Sequence, residues 1–372
     1  MSVLDSRGSK LPVKRSIKDA ASEILRVKMA VVGLNFGRHV VNELISQPVS
    51  ELIELKVVCD LDRARALAVA ASTGAEARFD LDQVLSDPMI EAIALITGPN
   101  GRAELIRRIV HAGKHVITTK PFELNPDAAL SVLKEAKSLG KLVHMNSPSP
   151  RLSADLQQVR IWQQKYNLGR PIACRRACWA SYREQADGTW YDDPELCPVA
   201  PIFRIGIYCI NDLVRLLGPA HSVNAISSRL FTGRPTPDNA QISILFKSGA
   251  IGSIFASFCV NDGNPYAYDM TFNFENGTVF RNVGPQRQGN KGVKSRMSVV
   301  ACRDGDEPLM EHVDLNEASG EYLWGDFVRA VRGEQLVDQV TPEEIAAGIE
   351  IVRAMARSAK SRRTEDVTYS AP

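Results

Sequence analysis

KMAVVGLNFGR, residues 28–38, sets the fold of the first part of the chain. An apolar run ends at Gly33, a second glycine follows at Gly37, and a helical pattern starts after it. A strand, a glycine-bearing turn and a helix start are the geometry of a dinucleotide phosphate site, because unpaired amides at a helix N-terminus favour an anion. The turn departs from the full G-x-G-x-x-G pattern: it is one residue short, and Asn35 replaces a glycine. Taken alone, the segment fits a phosphate turn and a packing turn equally well.

The composition is that of an ordinary globular protein, long enough for two domains with separate cores. The formal net charge is +2, so the totals give no support for nucleic acid or a membrane surface as a partner. No apolar run is long enough to cross a bilayer. The seven cysteines, an odd number placed mostly in apolar segments, favour reduced thiols in a cytoplasm. Cys174 and Cys178 have no second pair at ligand spacing, so no metal site is predicted.

Apolar strands alternate with amphipathic helices from Val27 to Met145, which predicts a parallel sheet covered on both faces. The predicted strands are residues 28–32, 55–59, 92–96, 115–118 and 142–145. The predicted helices are residues 38–46, 63–71, 81–85, 103–112 and 128–138. Ligands of such sheets bind beyond the carboxyl ends of the strands. The residues expected around that crevice are Gly33, Asp60, Pro99, Asn100, Lys120 and Asn146.

Asp60 ends the second predicted strand. Its carboxylate suits an adenosine ribose and repels a 2′-phosphate, which favours NAD over NADP. Arg63 and Arg65 lie close behind and could accommodate that phosphate. Asp60 or Asp62 also suits the N-cap of the following helix, and the two roles are compatible.

The Pro/Ser-rich segment NSPSP, residues 146–150, predicts a domain boundary. We therefore expect an N-terminal arm at 1–26, a Rossmann domain at 27–148 and a second domain at 149–372. After a helix at 152–164 the hydrophobic period becomes that of strands, and tight turns at Ser248-Gly249 and Asn276-Gly277 predict a mostly antiparallel sheet. Its predicted strands are residues 170–181, 225–231, 240–247, 251–260, 270–274 and 277–281. Helices are predicted at 207–217, 321–332 and 342–361, and a mobile basic loop at 284–298.

These pieces together resemble the Gfo/Idh/MocA family, the group of glucose–fructose oxidoreductases and inositol dehydrogenases. The matching segments are AVVGLNFGR, VVCDLD, ALITGPN, GKHVITTKPFEL, GTWYDDPEL, IGIYCINDLVRLLG, ILFKSGAIGSIFASF and SAKSRRTEDV. The resemblance implies a Rossmann domain followed by a domain whose open, mostly antiparallel sheet carries the substrate site and often an oligomer interface.

The family's E-K-P motif corresponds here to Thr119, Lys120 and Pro121. The resemblance implies that Lys120 is the base or proton relay beside the nicotinamide, preceding a proline that often follows a cis bond. A desolvated lysine near a cationic ring has a lowered pKa and can exchange a proton with a hydroxyl. The alternative is a surface lysine before a proline that caps a helix at 121–137.

The second family motif, an aspartate followed four residues later by histidine or tyrosine, corresponds to Arg204 and Tyr208. Residues four apart share a helix face, so Arg204, Tyr208 and Asp212 are expected on one side. We expect the charge of Lys120 to lower the pKa of Tyr208, which makes the phenol a proton donor and acceptor. Alternatively, Tyr208 is an amphipathic core residue.

Two departures from the family remain open: Arg204 for the aspartate, and Arg102 after the T-P-N-like turn. One hypothesis is that both arginines bind an anionic substrate group through bidentate hydrogen bonds. The other is that this chain has lost the redox chemistry.

The resulting prediction is an NAD(P)-dependent oxidoreductase acting on a sugar, cyclitol or sugar acid. Lys120 and Tyr208 are the expected catalytic residues. The expected cofactor-binding residues are Gly33, Asn35, Phe36, Gly37, Asp60, Pro99, Asn100, Lys120 and Pro121. The expected substrate residues are Asn146, Trp190, Tyr191, Arg204 and Asn211.

A homodimer or homotetramer is expected through the second sheet, with Ile242, Ile244, Ile254 and Phe258 as candidates for the interface or, more plainly, for the core. The alternatives are a dinucleotide-binding sensor or scaffold, and a reductase of imines or other unsaturated substrates.

Overall fold

A computed structural model of the protein describes residues 26–284, 293–302 and 307–369. Nearly all of the predicted arm and residues 285–292 of the predicted basic loop lie outside these ranges. The chain divides into two compact units after Ala92. The domain boundary at residue 148 stays a prediction.

Six strands form the first sheet, and their order, β3-β2-β1-β4-β5-β6, is that of a Rossmann fold. They are β1 (Val27–Val32), β2 (Ile53–Cys59), β3 (Glu76–Arg78), β4 (Ala92–Leu95), β5 (His115–Thr118) and β6 (Val143–Met145). The helices between them are α1 (Gly37–Leu44), α2 (Arg63–Thr73), α3 (Leu81–Leu85), α4 (Arg102–His111) and α5 (Pro126–Ser138). The predicted α/β class is confirmed. Strand β3 was not predicted, because its three residues include Glu76 and Arg78 and carry no apolar run.

Nine strands form the second sheet, in the order β14-β13-β12-β11-β7-β10-β9-β8-β15. They are β7 (Pro171–Trp179), β8 (Ala220–Ser228), β9 (Asn239–Phe246), β10 (Ile251–Ser257), β11 (Ala267–Phe274), β12 (Gly277–Arg281), β13 (Ser295–Ala301), β14 (Leu309–Leu315) and β15 (Glu365–Asp366). Strands β7 and β10 pair in parallel, and the other neighbours pair antiparallel. The prediction of a mostly antiparallel sheet is confirmed.

One face of the second sheet is covered by helices. The helices of this half are α6 (Ala154–Lys165), α7 (Ile207–Leu217), α8 (Trp324–Val331) and α9 (Pro342–Ser361). Leu213 of α7 and Ile351 of α9 share one core with the strands. The four candidate interface residues Ile242, Ile244, Ile254 and Phe258 belong to that core and are at most 2% exposed. Their interface interpretation is therefore wrong, and core packing explains them.

Several predicted elements differ from the observed ones at their ends, and three of these differences have a clear form. Strand β8 stops at Ser228, so the predicted strand at 225–231 is displaced toward the N-terminus. Helix α5 begins at Pro126, because the Asn125 side chain accepts hydrogen bonds from the amides of residues 127 and 128. The predicted loop at 284–298 is wrong from Ser295 onward, where β13 starts. Among the described residues, no helix is both long and apolar enough to span a membrane.

Candidate functional site

The glycine turn joins β1 to α1. Gly33 has φ of 89°, a left-handed conformation that glycine adopts without strain, and its amide donates to the Cys59 carbonyl at 2.9 Å. Asn35 and Phe36 are exposed, and Gly37 is buried. Within the described residues, no side chain caps α1, and its first turn carries no acidic residue. The amides at this helix start are therefore compatible with an anion.

Asp60 fastens the end of β2 to that turn. Its carboxylate accepts hydrogen bonds from the amide of Leu34 at 2.7 Å and from the amide of Asp62 at 2.9 Å. Both carboxylate oxygens also accept from Arg65 at 3.2 Å. The N-cap of α2 is Asp62, which accepts from the Arg65 amide, so Asp60 does not cap this helix. A ribose hydroxyl would compete with Arg65 for Asp60, since those are the longest hydrogen bonds that its carboxylate makes.

Arg102 ties together two loops at the carboxyl ends of β4 and β5. Its guanidinium donates to the carbonyl of Thr119 at 2.6 Å, to that of Phe122 at 3.2 Å, and to those of Thr97 and Pro121. The side chain is 1% exposed, and burial lowers its pKa to about 10. The hypothesis that Arg102 binds an anionic substrate is wrong in this structure, because four backbone carbonyls occupy the fork. Pro99 is buried just before it, and Asn100 is exposed.

Lys120 is half-buried in the loop after β5, and its peptide bond to Pro121 is cis. Its Nζ donates to the backbone carbonyl of Arg204 at 2.5 Å and lies 4.8 Å from the centre of the Tyr208 ring. Burial, reinforced by the charge of Arg204, lowers the pKa of Lys120 to about 7. The alternative of a surface lysine before a helix-capping proline is wrong. The amine is instead poised to gain or lose a proton near neutral pH.

Asn146 connects Lys120 with Tyr208. Its Oδ1 accepts from the Lys120 amide at 3.2 Å and from the Thr119 hydroxyl at 3.4 Å. Its Nδ2 donates to the Tyr208 hydroxyl at 3.1 Å and to the Gly320 carbonyl at 3.3 Å. These four hydrogen bonds use the full capacity of a side-chain amide. Asn146 therefore positions its neighbours, and a direct role in orienting a substrate stays a prediction.

Tyr208 keeps its phenolic proton. Burial raises its pKa, and the hydrogen bond from Asn146 only partly offsets that shift. The expectation that Lys120 lowers this pKa is wrong, because desolvation of the phenolate is the larger effect. The ring packs against Gly320, where an added Cβ would lie 3.0 Å from Cε1 of Tyr208.

Arg204 lies in an aromatic box and is bound by a carboxylate of the protein itself. Its guanidinium makes two hydrogen bonds to Glu184, at 2.7 and 2.9 Å, and lies 3.9 Å from the Tyr191 ring centre. Glu184 also accepts from Arg234 at 2.9 Å. Burial opposes ionisation of Glu184, but the two arginines outweigh it, so its pKa is lowered. The bidentate fork proposed for an anionic substrate is thus filled by Glu184.

The remaining predicted substrate residues, Trp190, Tyr191 and Asn211, do not lie together in one place. Trp190 lies 4.2 Å from Tyr191, ring centre to ring centre, and packs beside Gly98 after β4. Asn211 donates to Ser147 at 3.0 Å, and its Oδ1 lies where a Cβ on Gly348 would be. Asn211 thus packs between Ser147 and α9, and its side chain makes no hydrogen bond to Lys120 or Tyr208 in the structure.

Sequence reasoning missed Glu184 and Gly320. Glu184 lies in an irregular segment whose sequence has no hydrophobic periodicity. The only sequence signal for it was the basic residue at position 204, which indicated that an acidic partner was needed. Gly320 follows Ser319, whose hydroxyl donates to Asp212. Its φ of 101° is a conformation that disfavours any side chain, but a single glycine carries no such signal in sequence.

Comparison with known proteins gives two family matches that follow one another along the chain. Residues 27–147 match the Gfo/Idh/MocA oxidoreductase family model described as an NAD-binding Rossmann fold. Residues 156–280 match the Gfo/Idh/MocA C-terminal domain.

Three similar proteins illustrate the relationship. An uncharacterized oxidoreductase of Schizosaccharomyces pombe is 30% identical over 149 residues, which are 39% of each chain. Inositol 2-dehydrogenase of Rhodococcus erythropolis is 27% identical over 150 residues, covering 40% of this chain and 42% of the enzyme. The chain thus spans about two fifths of the length of these curated relatives. The structure of levoglucosan dehydrogenase with NADH superimposes with a TM-score of 0.71 at 18% identity, covering 92% of this chain and 99% of the other.

Replacing Arg102 tests its role as a clamp. Arg102→Met should lower the free energy of unfolding by about 3 kcal/mol, because several buried carbonyls lose their donor. Arg107→Met is the matched control: the same change on the same helix removes only part-exposed ion pairs and should cost less than about 1 kcal/mol. Urea denaturation measures both, and equal losses would contradict the clamp.

Proposed function

Because the chain belongs to the Gfo/Idh/MocA oxidoreductase family, we propose that it is an NAD(P)-dependent oxidoreductase acting on a carbon that bears a hydroxyl or carbonyl group. The proposed substrate is a sugar or cyclitol. One observation carries the proposal: an amine with a pKa of about 7 lies against a phenol that stays protonated, and one amide holds both. The open amides at the start of α1 suit the cofactor's phosphates.

The nicotinamide supplies the hydride chemistry, and the residues of the chain manage the proton. Neutral Lys120 takes the proton of a substrate hydroxyl during oxidation, and charged Lys120 returns it during reduction. Tyr208 accepts a hydrogen bond from Asn146 and keeps its own hydrogen free to donate to the substrate oxygen. Trp190, Tyr191 and the paired Arg204 shape the surrounding surface.

The filled forks of Arg102 and Arg204 favour a neutral polyol over a sugar acid. Each guanidinium already has protein acceptors in hydrogen-bond range, so a substrate carboxylate would have to displace them. For the cofactor, Asp60 supports NAD over NADP, because its carboxylate repels a 2′-phosphate and holds Arg65 in an ion pair.

Two other functions remain as candidates. Thr119 and Arg204 replace two acidic residues of the family motifs, which favours a dinucleotide-binding sensor or scaffold without turnover. Reduction of an imine uses the same proton donor and is the third candidate. A panel of NAD and NADP with neutral polyols, sugar acids and imines, followed at the absorbance band of the reduced nicotinamide, separates the three. Turnover of none of them, with tight dinucleotide binding, would favour the sensor.

The uncovered face of the second sheet supports self-association as a dimer or tetramer. Ile226, Leu245 and Ile251 are 72%, 41% and 55% exposed on neighbouring strands. Apolar side chains clustered on a regular sheet face are typical of interfaces.

A cytoplasmic location stays the prediction made from the cysteines.

Replacing Ile251 tests this interface. Ile251→Asp should shift the protein toward monomer in analytical ultracentrifugation, because the charge would be buried between subunits. Leu61→Asp, at a site 85% exposed outside this sheet, should leave the sedimentation unchanged. Sedimentation of the Ile251 variant identical to wild type would contradict an interface on this face.

Replacing Lys120 tests the proton transfer. Lys120→Met should reduce kcat for alcohol oxidation by about 100-fold or more, because the general base is lost. In the wild type, kcat/KM for oxidation should rise with pH through about 7, since the neutral amine is the active form above its pKa. Steady-state kinetics on the polyol that the panel identifies measures both effects.

Lys137→Met, on the exposed face of α5, is the control and should retain full activity. A folded Lys120→Met protein with unchanged turnover would rule out Lys120 as the base.

A further inference from the structure

Position 204 carries a cation where the family resemblance implies an aspartate, and the charge of Arg204 acts on Lys120. The backbone carbonyl of Arg204 accepts a hydrogen bond from Nζ of Lys120. The Lys120 side chain is therefore bound to the backbone of Arg204. The side chains of both residues are basic. Two neighbouring cations raise the free energy of the state in which both are charged.

The guanidinium of Arg204 is fixed by contacts on several sides. Glu184 binds its fork, and the ring centres of Tyr191, Phe258 and Tyr182 lie at 3.9, 4.7 and 5.2 Å from it. A fixed guanidinium exerts a constant field on its surroundings, unlike a mobile surface arginine.

Glu184 is itself held by a second arginine. Arg234 donates to Glu184 at 2.9 Å and also binds Asp187 and Asp192. Arg234 itself is 5% exposed, whereas the side chain of its partner Asp187 is 50% exposed. Three carboxylates thus face two guanidiniums, so Glu184 remains the counter-charge of Arg204 and offsets part of its field.

We propose that Arg204 is a positioning residue that sets the charge of Lys120, its carbonyl holding the amine and its guanidinium opposing protonation, with Glu184 moderating that effect. The catalytic value of this arrangement rests on the function proposed above. The charged or titratable groups acting on Lys120 are Arg204, Arg102, Cys178 and Cys197, with the ring of Tyr208 beneath the amine. Among these, the two arginines favour the neutral amine, and Arg102 is held in place by backbone carbonyls.

Two substitutions should shift the protonation equilibrium of Lys120 in opposite directions. Arg204→Gln removes the charge but keeps the backbone carbonyl that accepts from Nζ, so it separates the field from the hydrogen bond. Glu184→Gln removes the moderating carboxylate and leaves the Arg204 charge stronger. Arg204→Lys retains a cation without the fork.

The experiment is competitive acetylation by acetic anhydride over a pH series, with mass spectrometry of the peptide that contains Lys120. Only the neutral amine reacts, so the pH midpoint reports its protonation, and the folded chain needs no substrate. The wild-type midpoint should lie at about 7. Arg204→Gln should raise it by about 1 unit, Glu184→Gln should lower it, and Arg204→Lys should stay near the wild type.

Arg170→Gln is the matched control, because Arg170 is 85% exposed and pairs with Glu275 elsewhere; its midpoint should equal that of the wild type. An unchanged midpoint in folded Arg204→Gln, or shifts of the same sign in Arg204→Gln and Glu184→Gln, would overturn the proposal. If Arg204→Gln does not fold, Glu184→Gln decides: a lowered midpoint supports the proposal and an unchanged one overturns it. Midpoints that behave as proposed in a protein without turnover would count against the proposed function alone.

Discussion

The side-chain amide of Asn146 holds three separate segments of the chain in one arrangement. It binds the backbone of Lys120, the hydroxyl of Tyr208 and the carbonyl of Gly320, and it is 4% exposed. With Thr119 as its fourth partner, its donors and acceptors are all satisfied by protein. Each partner that lost this amide would be left unpaired at a cost of about 1–3 kcal/mol. The distance between amine and phenol therefore depends on a residue that performs no chemistry itself.

Arg102, Arg204 and Lys120 are three basic side chains of the candidate site, and the protein accommodates each of them differently. Arg102 is surrounded by backbone carbonyls, and Arg204 is paired with Glu184. Lys120 has only a carbonyl acceptor and an aromatic ring beside its amine. Its pKa is lowered to about 7, because burial disfavours the charged amine. Because burying a charge without a counter-charge is costly, this difference makes Lys120 the group that exchanges a proton near neutral pH.

The fold followed closely from the sequence, because hydrophobic periodicity and turn chemistry are local signals. Helix α7 at Ile207–Leu217 and helix α9 at Pro342–Ser361 were predicted with their observed bounds. Strand β14 was not predicted, since its side chains are mostly exposed and lack a continuous apolar pattern. The resemblance identified Lys120 and Tyr208 as a pair, and the structure brings them together.

The hydrogen-bond partners of Arg102 and Arg204 could not be predicted from the sequence. Both arginines suggested an anionic ligand, because a guanidinium fork recognises carboxylates. The structure supplies four carbonyls to one and Glu184, twenty residues earlier in the chain, to the other. Likewise, only the burial of Tyr208 shows that desolvation raises its pKa in spite of a neighbouring lysine. Long-range partners and desolvation depend on tertiary packing, which no single-sequence pattern records.

The central claim is that Lys120 and Tyr208, joined by Asn146, handle the proton for a nicotinamide-dependent oxidation or reduction. A crystal structure of the protein with bound NAD tests it most directly. We expect the nicotinamide ring to face Lys120 and the Tyr208 hydroxyl, with the hydrogen bonds of Asn146 retained. A bound dinucleotide whose nicotinamide points away from Lys120, or a Tyr208 hydroxyl detached from Asn146, would contradict the account.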